Sequence, residues 1–198
     1  MKPKVSIVAL SVFGAAISLS AQIPVRTISA STAAPRLTVL SQTYSLGSYN
    51  QKHHPTWEFV LGNETVNNWT SLVTLMERAD AKTVPDMDRL AEGIMSTYKS
   101  NGGRVLTAKT LKDDAGRPFN YMLVAFEEPA KQRFELNYVK VAMGATNAYV
   151  MIIGIRVSDP KDYKTKAKEF VERRSAEIGG ALANAAPPNF STLPRRVF

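Results

Sequence analysis

Six consecutive residues, Val150–Ile155, offer no polar side chain to either face of an extended chain. Side chains alternate across a strand, so a run that is apolar at every position needs cover on both sides. Ala148–Val157 is therefore expected to form the buried centre of a sheet. The remainder of the chain must supply neighbouring strands and the layers that close over them.

The neighbours are legible. Thr38–Tyr49 is rich in Thr, Val, Leu and Tyr, and Thr56–Leu61 sets Trp57, Phe59 and Leu61 at alternate positions. Trp69–Ala79 alternates with both sides partly apolar, which predicts another interior strand. Arg104–Lys112, the turn Asp113–Gly116, Phe119–Glu127 and Arg133–Met143 then lead through Gly144–Asn147 into the central run. Turns this short predict an antiparallel meander.

Two stretches have helical spacing. In the first, Pro85 opens the helix and Asp86 and Asp88 occupy a first turn where the helix dipole favours negative charge. Met87, Leu90, Ala91, Ile94 and Tyr98 form its apolar face, and Gly102–Gly103 stops it. In the second, Asp159 serves as N-cap and Pro160 as first helical residue. Tyr163, Ala167, Phe170, Val171, Arg174 and Ile178 form its inner stripe, and Gly179–Gly180 ends or weakens it. The expected fold class is α+β: a single antiparallel sheet of about six or seven strands flanked by two main helices. The helices can cover the two faces or share one.

The ends read differently. Lys2 and Lys4 precede Val5–Leu19, an apolar run broken only by small residues, and Ser18 and Ser20 have the spacing a signal peptidase accepts. Residues 1–20 read as a secretory signal peptide, whose apolar run is short for a membrane span, which needs roughly 20 residues. Left uncleaved, the leader would tether the protein. Residues 21–36 read as a flexible linker, 37–184 as one α+β domain, and 185–198, with Pro187, Pro188 and Pro194, as a disordered tail. The chain has no cysteine, which excludes disulfides, a thiolate nucleophile, a Cys-ligated metal and a lipid-anchored junction. A bacterial periplasm fits this better than a eukaryotic secretory route.

The chain carries 25 Lys and Arg against 17 Asp and Glu, a formal charge of +8. Cleavage after residue 20 removes Lys2 and Lys4 and leaves the remainder basic. Such a surface favours an acidic envelope protein or an anionic lipid surface. Nucleic acid is not expected: no basic run interleaves with aromatics, and neither an RNP-like nor a helix-turn-helix pattern occurs. The outer face of the second helix concentrates the charge, and Lys161, Lys164, Lys168 and Arg173 are the candidate contact residues.

Catalytic constellations are sparse. His53 and His54 are the only histidines, and adjacent extended residues point to opposite faces, so they make a poor chelating pair. Asp80, Asp86 and Asp88 decorate a helix start, Asp113 and Asp114 a hairpin turn, and neither set has calcium-loop spacing. Glu127 and Glu128 end a strand before Pro129. Neither a nucleophile elbow nor a phosphate loop is present, so no cofactor or metal is expected. The leading expectation is an exported, non-enzymatic accessory or binding protein. The alternatives are a small envelope hydrolase working through loop carboxylates, and a module held at the membrane by its leader.

The run Phe119–Glu127, the following strand, the turn into Asn147–Met151 and the closing helix to Ala176–Ile178 together resemble the PsbP-like fold family, which includes periplasmic DcrB-like proteins. The resemblance covers Trp57–Ile178 in element order. It implies an α-β-α sandwich serving as an accessory or binding subunit without catalytic residues, and it carries over no functional residue. The linker and the Pro-rich tail depart from that pattern.

Overall fold

The computed structural model describes residues 35–195. The signal-peptide reading of 1–20 and all but the end of the expected linker lie outside the described residues. Eight strands form one antiparallel sheet: β1 (Arg36–Val39), β2 (Gln42–Asn50), β3 (Thr56–Leu61), β4 (Ser71–Arg78), β5 (Arg104–Lys112), β6 (Pro118–Glu128), β7 (Arg133–Met143) and β8 (Ala148–Ser158). Their spatial order is β1-β2-β3-β4-β8-β7-β6-β5. The central run is β8, between β4 and β7, and the meander β5–β8 forms as expected.

The strand count exceeds the expected six or seven because the first segment folds back on itself. Val39 pairs with Gln42 across Leu40 and Ser41, whose φ values are +52° and +61°. Two consecutive left-handed residues make the type I′ turn that matches strand twist, but its usual Asn-Gly signature is missing, so the sequence conceals the turn.

Helix α1 (Val84–Ser100) follows β4, and α2 (Tyr163–Asn184) follows β8. Met87, Leu90, Ala91, Ile94 and Tyr98 of α1 pack with Met76, Met122, Val124, Phe126, Val139, Val141, Val150 and Ile152. The alternate residues on the same strands, among them Leu75, Leu123, Tyr138, Met151 and Ile153, pack with Ile178 and Leu182 of α2. The two-sided apolar pattern of β8 thus answers to a helix on each face. None of the described helices is long and apolar enough to cross a membrane.

The helix starts differ in detail from the sequence reading. Thr83 caps α1, accepting a hydrogen bond from the Asp86 backbone while the Asp86 carboxylate accepts one from the Thr83 backbone. Pro85 sits inside the first turn. For α2, Asp162 is the cap instead of Asp159. The Asp159 carboxylate accepts from the backbone N–H groups of Lys161 and Asp162, which closes a separate turn around Pro160 and delays the helix to Tyr163. Gly179–Gly180 does not end α2. The Gly179 position lies beside Tyr121, where a Cβ would make ordinary contact at 3.6–3.9 Å, so the helix runs on past it.

The segment expected to be a disordered tail is placed across the sheet as far as Arg195. It contains a short 3-10 turn, Phe190–Thr192. Phe190 lies 5.3 Å from the Trp57 ring, centroid to centroid, and the Trp57 indole N–H donates to the Pro194 carbonyl at 2.7 Å. Proline content alone predicted disorder. The aromatic residues that receive this segment are far away in the chain, on β2, β3 and β8.

Candidate contact surface

Lys164 and Lys168 lie on the first turns of α2, and Lys161 precedes it in the Asp159 turn. Arg173 stands nine residues beyond Lys164, roughly two and a half turns at 3.6 residues per turn, which puts it on the opposite side of the helix. The helix repeat therefore puts Lys164 and Lys168 on one side of α2 and Arg173 on the other, while Lys161 lies in the turn before the helix.

Part of this charge is locally neutralised. Lys164 Nζ is 2.9 Å from Glu127 Oε1, and the Tyr163 hydroxyl donates to the same oxygen at 2.8 Å. The Lys164 and Tyr163 hydrogen bonds hold the Glu127 carboxyl below its ordinary range. Lys168 faces Glu172 at 3.9 Å, Lys166 faces Glu169, and Arg174 pairs with Glu177. Exposed pairs of this kind contribute about 0–1 kcal/mol, so another acidic group can replace the partner at little cost.

The edge strand supplies what sequence reasoning missed. β5 carries Arg104, Lys109 and Lys112 and no acidic residue. No ion pair among the described residues involves these three. Arg104 pairs in register with Ala125 and Lys109 with Tyr121, both on the sheet face that α2 covers. Lys109 Nζ lies 6.0 Å from the Tyr121 ring centre, and Gly179 of α2 abuts the same ring. Arg104, Lys109, Lys164 and Lys168 therefore share one side of the molecule. The signal was available in the composition of Arg104–Lys112, but only the edge position of β5 leaves its charges uncovered.

The acidic residues kept as hydrolytic candidates have other partners. Asp86 belongs to the α1 cap, and Asp88 accepts from the Asn120 amide. Asp113 accepts from the backbone of Ala115 and Arg117, which closes the β5–β6 hairpin. Glu128 is gripped by Arg133 at 2.9 Å and Lys131 at 2.7 Å. Burial would raise the Glu128 pKa, but the two cations outweigh it and the carboxyl titrates low. Asp80 pairs with Arg78, which holds it down to about 2. His54 contributes Nδ1 at 3.9 Å from Asp80, and His53 is not part of this contact. Arg78 and Asp80 border an open groove of about 480 Å³ beside Arg89, Leu90 and Gly93 of α1.

Three buried ionisable groups went unseen in the sequence. Glu135 and Arg156 face each other at 3.4 Å on the α1 side of the sheet, each side chain 7 % exposed. The Arg156 guanidinium lies 3.7 Å from the Trp69 ring centre, and Asn137 donates to Glu135. Burial pushes Glu135 up despite the arginine. Tyr98 points its hydroxyl into this neighbourhood without a hydrogen-bond partner, and burial first, then the Glu135 charge, suppress its ionisation. On the other face, Lys140 donates to the carbonyls of Ala183 and Ala185 and lies over the Phe119 ring, so it caps the negative end of α2. Among the described residues no group of His, Asp and Glu has the arrangement of a metal site.

Comparison with protein-family models finds no match for this chain, and comparison with curated proteins finds none either.

Proposed function

We propose that this chain is an exported, non-enzymatic accessory or binding domain that meets an acidic envelope partner, protein or anionic lipid, through the side formed by α2 and β5. The single observation behind the reading is the shared side of Arg104, Lys109, Lys164 and Lys168. Lys161 extends it, and Arg173 is withdrawn from it. The leader-like residues 1–20 support export, and the element order supports a PsbP-like α-β-α sandwich.

The chemistry suits surface attachment better than turnover. Cations on a rigid edge strand and helix attract an acidic surface at long range, and each basic residue near an anionic membrane is worth about 1 kcal/mol. Co-sedimentation with phosphatidylglycerol vesicles, and retention on an immobilised acidic polypeptide, test both partner classes. Reversing Arg104 and Lys109 to Glu is expected to lower binding at least 30-fold, about 2 kcal/mol for the two attractions removed. Reversing Arg173 alone is expected to change it little. Equal binding by the wild type and the double reversal on both supports would overturn the proposal.

A further inference from the structure

The C-terminal strap is bound as a peptide ligand would be. Tyr49, Trp57 and Tyr149 project from three strands onto one face, with Tyr49 and Trp57 rings 5.3 Å apart and Phe190 5.3 Å from Trp57 and 6.4 Å from Tyr149. The indole N–H reads a main-chain carbonyl, that of Pro194, at 2.7 Å. Arg195 reaches Glu77 at the end of β4 at 3.3 Å. An aromatic cradle, an indole donor aimed at a proline carbonyl and an acidic residue for a following cation are the elements by which grooves hold extended proline-containing peptides.

Cradle and occupant differ in how firmly they are held. Trp57 and Tyr149 are fully buried members of the core and sit on strands of the sheet. No residue of 185–195 is fully buried, and Asn189 organises the strap's one turn through its own hydrogen bonds to Ser191. Terminal segments with few buried contacts open at low free energy while the strands beneath remain closed.

We propose that the Tyr49–Trp57–Tyr149 cradle is a docking site for a partner protein's peptide, with an aromatic residue in a single tight turn, then Leu-Pro, then a basic residue. The chain's own Phe190–Arg195 is its resident competitor. The strap keeps the aromatic surface covered until a partner segment displaces it. Because the strap is tethered, its effective concentration is high and it lowers the apparent affinity of any free peptide.

The test uses the full chain and a fluorescent peptide with the sequence of residues 185–195. A strap-weakened variant, Phe190→Ala with Arg195→Ala, is expected to bind the peptide at least tenfold more tightly than the wild type, by anisotropy. A peptide with Ala in place of its phenylalanine is expected to lose at least tenfold. Adding Trp57→Phe to the weakened chain removes the indole donor and keeps the ring, and is expected to lower binding by a similar factor. Should that variant fail to fold, Glu77→Gln in the weakened chain tests the ionic contact from the sheet edge and is expected to cost severalfold. A folded, strap-weakened chain that binds the peptide no better than the wild type, or that binds the alanine peptide equally well, would overturn the proposal. So would a wild-type chain that excludes the peptide and dimerises with concentration by exchanging straps between copies.

Discussion

The guanidinium carbon of Arg156 lies over Trp69, 3.7 Å from the ring centre, while its Nε faces the buried Glu135 carboxylate at 3.4 Å. Trp69 precedes β4 and Arg156 lies near the end of β8, so this one side chain ties the β3–β4 connection to the central strand of the sheet. Removing either charge leaves the other buried alone, which costs about 3–5 kcal/mol. Arg156→Leu and Glu135→Leu are each expected to lower stability in urea unfolding. The double variant is expected to be more stable than the sum of the singles predicts, because no orphaned charge remains. A strictly additive cycle would show that the two groups do not interact.

Gly154 makes that approach possible. A Cβ there would come within 3.1 Å of both the Asn137 side chain and the Trp69 ring. Gly154→Ala is expected to cost about 1–3 kcal/mol through overpacking. The Trp69 indole emission is expected to shift as the ring lifts off Arg156, and an unchanged unfolding midpoint would contradict this.

How much of this was legible depends on range. The uniform apolarity of Val150–Ile155 specified a two-sided strand, and its β7 neighbour followed from the short turns of the meander, whereas β4, on its other side, is distant in sequence. What stayed hidden depends on partners distant in sequence. Glu135 and Arg156 are unremarkable charges until register sets them opposite one another. The tail looked structureless because Trp57 and Tyr149, which receive it, are nowhere near it in the chain. The basic side was read from α2, where the charge is dense, although carboxylates accompany it there. β5 carries less charge but none of it is paired with an acid among the described residues.

Asp80 titrates at about 2 because Arg78 holds it by a bidentate hydrogen bond. A depressed folded pKa contributes stability above the unfolded value, and the contribution is lost as pH falls from about 4 towards 2. Asp80 is half exposed, so solvent screening keeps the contribution below about 1 kcal/mol. Arg78→Gln is expected to return the Asp80 carboxyl towards its ordinary value in an NMR titration. An unmoved midpoint would mean that another group depresses it.

The reciprocal cap of α1 predicts a separable stability term. Thr83→Ala removes the side-chain acceptor for the Asp86 N–H and is expected to cost about 0.5–2 kcal/mol. Thr83→Asp, which preserves an acceptor, is expected to recover part of it. Thermal unfolding of the three chains checks this, and equal midpoints would contradict it.

The attribution of binding to the α2–β5 side is tested most directly by amide chemical-shift mapping with phosphatidylglycerol nanodiscs. The account predicts that the largest perturbations fall on Arg104, Lys109, Lys161, Lys164 and Lys168 and their neighbours, and fade as salt rises. Perturbations centred on β1–β3, or none at low salt with nanodiscs and acidic polypeptide alike, would contradict it.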